Sequence, residues 1–306
     1  MTSNNIKRIK SITEYHRIKG LSKPAHPLIS VIKYEDLKQS AENNSISWIY
    51  DFYSIALKKN ILGKIKYGQL EYDFDEGILF FIAPGQLLKI EIEPDVTNLG
   101  TGLILLIHPD YLWNTSLAKT IRQYDFFGYA VNEALFLSDK EEIIIEGLIS
   151  NINQEHNSNI DKYSQRVIVS QVEVLLNYAD RFYNRQFITR TITNHTILNN
   201  LENVLEGYFN SDDLGAKGLP TVQYISKTLN ISPNYLSGLL KALTGKSTQE
   251  HIQDRLIEKA KEVLSTTDFS VSEIAYQLGF EYSQSFSKLF KSKTNLSPLQ
   301  FRSSFN

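Results

Sequence analysis

The C-terminal part of this 306-residue chain is written twice. Ile225, Leu229 and Ile231 recur 49 positions later as Ile274, Leu278 and Phe280. After a one-residue insertion, Leu236, Ser237, Leu239, Leu240, Lys241, Thr244, Gly245 and Ser247 recur 50 positions on as Phe286, Ser287, Leu289, Phe290, Lys291, Thr294, Asn295 and Ser297. A repeat that keeps its apolar residues at three- and four-residue steps keeps a helical core, so the segment must fold as two copies of one helical unit. In the first copy Val222, Ile225 and Leu229 predict the buried face of one helix, and Leu236, Leu239, Leu240 and Leu243 that of the next. Between them stands Asn230-Ile231-Ser232-Pro233, where Asn tolerates the left-handed conformation of a tight turn and Pro suits a first helical turn. The second copy has Gly279 at the Asn230 position. Helix, tight turn, helix is a unit that can lay its second helix in a DNA major groove.

The joints between the units are equally explicit. Ser270 with Glu273, and Ser247 with Glu250, have the capping-box spacing, while Gly245 and Asn295 suit the position that closes each second helix. Ile252, Leu256, Ala260, Val263 and Leu264 predict one connecting helix over about Gln249 to Leu264. At 1.5 Å per residue it is about 24 Å long, enough to hold two units at a set spacing on successive major grooves roughly 34 Å apart. With the apolar positions turned inward, the first candidate recognition helix presents Asn234, Tyr235, Ser237, Gly238 and Lys241, and the second Gln284, Ser285, Ser287, Lys288 and Lys291. The amides of Asn234 and Gln284 match adenine edges and Lys288 can reach guanine acceptors. Lys241 and Lys291 sit about a turn later and suit phosphate.

Charge supports this division weakly. The chain carries −2 overall, yet from Leu219 onward ten basic residues stand against seven acidic ones, so positive charge is concentrated in the duplicated segment. With no cysteine, disulfides, thiol nucleophiles and zinc–thiolate sites are excluded. No apolar run reaches the roughly 18 residues of a membrane span, and Thr2 to Lys10 lacks the apolar centre of a signal peptide. The expectation is a cytosolic protein with no membrane partner.

The first half reads as β. Leu28–Ile32, Ile46–Ile55, Ile61–Lys66, Gln69–Tyr72, Ile78–Ile82, Gln86–Ile92 and Leu103–Ile107 are short apolar or alternating runs, most of them punctuated by turn signals such as Pro84-Gly85. Strands at this spacing predict a small barrel or a double-sheet jelly roll. From Asp139 the period becomes helical, with stripes Ile143, Ile144, Gly147, Leu148, Ile152 and Val167, Ser170, Val174, Tyr178, Phe182, the second stripe with Leu175 beside it. These helices either dock on their own β unit or pair with those of a second copy. Arg185 to Asn194 reads as a polar connection, and a further helical stripe runs from Ile197 to Phe209 before the loop Asn210 to Gly218. The expected class is α+β: an N-terminal β-barrel over residues 1–138, a helical linking or dimerising region over 139–191, and an all-α domain with two helix-turn-helix units over 192–306. Trp48, Tyr50, Phe52 and Tyr53 either line a pocket in the barrel or form its core. The six histidines, His16, His26, His108, His156, His195 and His251, include no H-x-H pair and no clustered carboxylate–histidine set. No catalytic residue, metal ligand or cofactor is therefore expected.

Ile274-Ala275-Tyr276-Gln277-Leu278-Gly279-Phe280, Phe286-Ser287-Lys288-Leu289-Phe290-Lys291 and Ser297-Pro298-Leu299-Gln300-Phe301-Arg302 resemble the second motif of the AraC/XylS family of bacterial transcription regulators, over roughly Ile197 to Phe305. The resemblance implies two helix-turn-helix units joined by a linker helix, with Asn234, Ser237, Gly238, Gln284, Ser285 and Lys288 at base-reading positions. Gly238 departs from the family, which often carries a long polar side chain there, so the first unit is expected to read fewer bases. Leu79-Phe80-Phe81-Ile82-Ala83-Pro84-Gly85 is similar, in general terms, to the cupin-type effector barrels of the family. The partners implied are double-stranded DNA, a small-molecule effector in the barrel, a second copy of the chain as homodimer, and RNA polymerase. Two alternatives stay open: a regulator whose N-terminal half only dimerises or meets a protein, and a cupin-type enzyme with a DNA-binding tail.

Overall fold

The computed structural model describes residues 6–37, 47–59, 66–67, 70–71, 77–89, 100–130, 133–158, 161–189, 191–211 and 214–304. The chain divides into two compact units, Met1–Gln186 and Phe187–Asn306. The first contains strands β1 (Ile6–Ile9), β2 (Ile29–Lys33), β3 (Ser47–Tyr50), β4 (Tyr53–Lys59), β5 (Lys66–Tyr67), β6 (Leu70–Glu71), β7 (Gly77–Ile82), β8 (Leu87–Lys89), β9 (Thr101–Ile107) and β10 (Leu135–Leu137). Its helices are α1 (Ile12–Ile18), α2 (Leu117–Thr120), α3 (Asp139–His156) and α4, which runs from Ser164 to Thr189. The expected strand at Ile61–Lys66 lies outside the described residues except for its last position, as do Gln69 and Tyr72 of the next, Ile46, and the end of the run Gln86–Ile92.

Two sheets make the core. β1, β3 and β8 form one, with β1 parallel to β3; β10, β7, β4, β9 and β2 form the other in that order, antiparallel throughout. Because side chains alternate along a strand, Ile32, Ala56, Ile82, Ile104 and Leu106 share one face of the larger sheet. That face packs on Ile9, Ile12, Tyr15, Trp48, Tyr50, Phe52 and Leu88. The ring of Tyr50 stacks on Phe52 at 5.2 Å, and Tyr15 meets both edge-on. β7 is buried along its whole length, since Phe81 on its other face packs against Phe126 at 4.4 Å and against Tyr183 of α4.

Among the described residues the sheets do not close into the expected barrel. The larger sheet ends at β10 and β2, which are not paired with each other. The reason lies in the outer edge of β10. The Phe136 N–H donates to Gln186 Oε1 at 2.8 Å, Gln186 Nε2 donates to the Ala134 carbonyl at 3.2 Å, and Arg185 donates to the Phe136 carbonyl at 2.7 Å. Side chains of α4 thus take the place of a further strand, one of the ways a sheet edge is protected. The division between the two units falls at Gln186 and Phe187, inside the polar run Arg185–Asn194 expected as an inter-domain connection, and the run is helical: α4 continues to Thr189 and a further helix begins at Thr191. Its first two residues, Arg185 and Gln186, serve the sheet edge.

The stripes of α3 and α4 are also out of phase with the sequence reading. α3 buries Ile145, Ile149, Ile152 and His156, leaving Ile143 69% exposed. α4 buries Ile168, Val169, Val172, Leu175, Leu176, Ala179, Phe182 and Tyr183, while Val167 and Val174 are exposed. Both helices therefore pack on the first unit itself. Short elements escaped the sequence reading altogether: β1 and β10 have four and three residues, too few to show a period, and α1 lies in the polar N-terminal stretch.

The second unit is helical: α5 (Thr191–Phe209), α6 (Leu214–Lys217), α7 (Val222–Leu229), α8 (Pro233–Thr244), α9 (Thr248–Thr266), α10 (Val271–Gln277), α11 (Ser283–Thr294) and α12 (Pro298–Ser303). The expected loop Asn210–Gly218 contains the short α6, with Asp212 and Asp213 outside the described residues. No helix among the described residues is long and apolar enough to cross a membrane.

Because Gln186 is 1% exposed and serves both a strand donor and a strand acceptor, Gln186→Ala leaves two edge groups unpaired. The expected loss is about 1–3 kcal/mol in urea unfolding of the full chain. A loss below about 0.5 kcal/mol, the size of an ordinary surface substitution, contradicts the edge assignment.

Candidate nucleic-acid interface

The two copies superimpose in their local chemistry. α7 starts at Thr221, whose hydroxyl accepts the Tyr224 N–H, and α10 starts at the capping box of Ser270 and Glu273. Each first helix ends on a left-handed residue, Asn230 at φ 56° and Gly279 at φ 85°. The next residue then donates back to the same place: Ile231 N–H to the Ser226 carbonyl and Phe280 N–H to the Ala275 carbonyl, both at 3.0 Å. The second helices close at Gly245 and Asn295, φ 74° and 62°. After each comes a further capping box, Ser247 with Glu250 and Ser297 with Gln300. Gly279 is required twice over, by its φ and because a Cβ there would stand 2.8 Å from the Gly218 backbone.

The cores differ in side chain but not in position. Leu236, Leu239 and Leu240 of α8 are fully buried, as are Phe286 and Phe290 of α11. In the second unit the larger rings interlock, Phe286 with Phe280 and Phe290 with Phe301. Between the units α9 buries Ile252, Leu256, Ile257, Ala260 and Leu264 along one side. At 19 residues it is about 28 Å long, slightly beyond the expected ends. Arg302 of α12 donates to the Leu264 carbonyl at 3.2 Å and the Phe269 carbonyl at 2.6 Å, closing the C-terminal end of α9.

Of the residues expected to touch DNA, Asn234, Lys241, Gln284, Ser285, Lys288 and Lys291 are exposed, all on α8 or α11. Gly238 is half-buried. Ser237 is half-buried too, and its hydroxyl is 3.0 Å from that of Thr248, a fully buried residue at the start of α9. In the second unit Pro298 stands where Thr248 stands in the first, so Ser287 has no such counterpart. Tyr235, also on the presented face of α8, meets the ring of Phe187 edge-on at 5.0 Å.

Ion pairs sort the basic residues into two groups. Arg255 pairs with Glu206 and Glu258, Lys259 with Glu262, and both Lys246 and Lys293 with Asp254. Among the described residues of the recognition helices, Lys241, Lys288 and Lys291 have no such acidic neighbour. These three ammonium groups of α8 and α11 are thus left to face a polyanion, while Arg255 and Lys259 of the connecting helix are paired. Sequence reading identified these residues as basic but missed the sorting, because the partners of Lys293 and Arg255 lie 39 and 49 positions away in the chain.

Residues 225–304 match a family described as a helix-turn-helix domain. An uncharacterized HTH-type transcriptional regulator of Pseudoalteromonas carrageenovora is 31% identical over 115 residues, covering 38% of this chain and 63% of that protein. The uncharacterized HTH-type transcriptional regulator YfiF of Bacillus subtilis is 24% identical over 269 residues, 85% of this chain and 79% of that protein. The solved C-terminal domain of the two-component response regulator yesN from Fusobacterium nucleatum is 31% identical, covering 33% of this chain and 93% of that chain with a TM-score of 0.29.

The turn of the second unit offers a stability test. Gly279→Ala forces a side chain into a left-handed turn against the Gly218 backbone and is expected to cost about 2 kcal/mol or more in chemical denaturation. Asn230→Gly at the matching turn is expected to change stability by less than about 1 kcal/mol. Equal effects at the two positions contradict the close approach described here.

Proposed function

We propose that this chain, which carries an AraC-type helix-turn-helix domain at residues 225–304, is a regulator of the AraC family that reads DNA through α8 and α11 to regulate transcription. The family and the relatives point to a transcription regulator rather than an enzyme. The observation that carries the base-reading assignment is the exposure of Gln284 and Lys288 on α11, where Lys288 has no acidic partner among the described residues, beside a connecting helix on which Arg255 and Lys259 are paired. Gln284, Ser285 and Lys288 read bases in the second unit. In the first unit the reading falls to Asn234, because Gly238 has no side chain to offer and the Ser237 hydroxyl already faces Thr248. Lys241 and Lys291 take phosphate. A cytosolic location goes with this role.

The N-terminal unit is the regulatory half. In the leading reading it binds a small molecule that shifts the population of DNA-competent states, which requires different affinity for the two states. A homodimer through α3 and α4 accompanies it, supported by the exposed Ile143 of α3 and Val167 and Val174 of α4, and contact with RNA polymerase follows from regulation of initiation. A second reading, in which this unit meets only a protein partner or a second copy, is favoured by the ring packing of Tyr15, Tyr50 and Phe52, which makes these aromatics core residues. Metabolite screening by thermal shift separates the two, since a specific ligand raises apparent stability by mass action.

Selection from a randomised duplex pool with the full chain tests the DNA reading. The expected product is a two-part motif; enrichment of no sequence, with binding that only tracks salt, overturns it. On the selected site Lys291→Ala is expected to weaken all sequences alike. Gln284→Ala is expected to relax preference at one base position, at a cost of about 1–3 kcal/mol on the preferred sequence.

A further inference from the structure

Asp254 sits in the first half of α9 and uses its two carboxylate oxygens on two different helix-turn-helix units. Oδ2 accepts from Lys246 at 2.7 Å, and Oδ1 accepts from Lys293 at 2.9 Å. Lys246 follows Gly245, the residue that closes α8; Lys293 lies in the last turn of α11. One carboxylate therefore ties together the C-terminal ends of both candidate recognition helices. The duplication supplies an internal control. Lys246 is matched by Leu296 in the second copy, Lys293 by Leu243 in the first, and Asp254 by Ser304. Neither lysine is needed to build a unit, and the three charges meet only because two units share one connecting helix. Burial acts to raise the Asp254 carboxyl, but the hydrogen bonds and charge of the two lysines prevail and hold it below the ordinary aspartate range. The nearest other acid of this helix turn, Glu250, is occupied by the Ser247 backbone and hydroxyl in its capping box.

We propose that Asp254 is a positioning residue that sets the distance and angle between the two recognition helices, and so determines which spacing of two half-sites the protein accepts. This rests on the DNA-reading function proposed above. Inserting one base pair between half-sites both separates them and rotates one around the duplex axis. A tied pair of helices must then give up one half-site or strain, whereas a loosened pair accommodates both. The apolar side of α9 supplies the fold, so removing one carboxylate is expected to change tolerance without unfolding the unit.

The test uses the full chain and duplexes carrying the selected two-part sequence with no change, or with one or two base pairs inserted or deleted between the parts, and a duplex with the second part alone. Wild type is expected to lose about tenfold in affinity on a one-pair change. Asp254→Asn is expected to lose about threefold or less, while its binding to the single part gains only what one removed negative charge confers on every duplex. The ratio of altered to unaltered spacing cancels that charge effect. The double variant with Lys246→Met and Lys293→Met removes the same tie from the other side, should Asp254→Asn fold poorly, and is expected to flatten the ratio in the same way. If wild type binds specifically and both variants keep the wild-type spacing ratio, or if wild type is itself indifferent to spacing, the positioning role is overturned while the DNA reading stands. If wild type shows no sequence preference on any duplex, the DNA reading fails and the positioning role falls with it.

Discussion

The helical unit depends on the burial of one side of α9. Ile252, Leu256, Ile257, Ala260 and Leu264 place an apolar stripe along 19 residues, far longer than either neighbouring helix pair needs for its own core. Such a stripe is stable only if something covers it along its whole length. α5 and the two copies of the repeat do so together, and each end of the helix is then fixed by local chemistry: the Ser247–Glu250 capping box at the start, and the Arg302 guanidinium on the Leu264 and Phe269 carbonyls at the finish. With the ends fixed, α8 and α11 have defined places on a common support. What they present outward follows from what they bury inward.

A different constraint shapes the N-terminal unit. Its larger sheet has free ends, and unpaired strand groups must be satisfied by something. α4 satisfies those of β10 through Arg185 and Gln186, and side-chain ion pairs of Lys59 on β4 with Glu142 and Glu146, both at 2.8 Å, fasten α3 to the sheet. Arg185 and Gln186, at the start of the polar run where the two units divide, also cover the β10 edge of the sheet. Two helices with exposed apolar residues, Ile143 of α3 and Val167 and Val174 of α4, nevertheless belong to this unit because their other faces bury Ile149, Val172, Leu176 and their neighbours.

The duplicated segment was legible because its determinants act within short stretches. A cap bonds three residues on, a left-handed turn residue is marked by Asn or Gly, and a buried stripe repeats every three or four positions, so the pattern Ser247-x-x-Glu250 carries its structure in four letters. Exposure of Gln284 and Lys288 followed from the same periodicity. The N-terminal half was legible only as strands. Whether a sheet closes depends on what meets its last edge, and Phe136 meets Gln186 from 50 positions away. The phase of α4 was misread because the helix has apolar residues on two faces, and periodicity ranks them equally. The tie at Asp254 was illegible for the same reason as the sheet edge: Lys293 is distant in sequence, and nothing local marks it as a partner.

Cleavage of the duplex backbone by hydroxyl radicals, with the full chain bound to its selected sequence, tests the central claim that the repeat is a pair of groove-reading modules on one support. The account predicts two protected patches on one face of the duplex, about one helical turn or 10 base pairs apart, the patch belonging to the second unit reverting when Gln284 and Lys288 are both replaced by alanine. A single patch, or two patches on opposite faces, would contradict it.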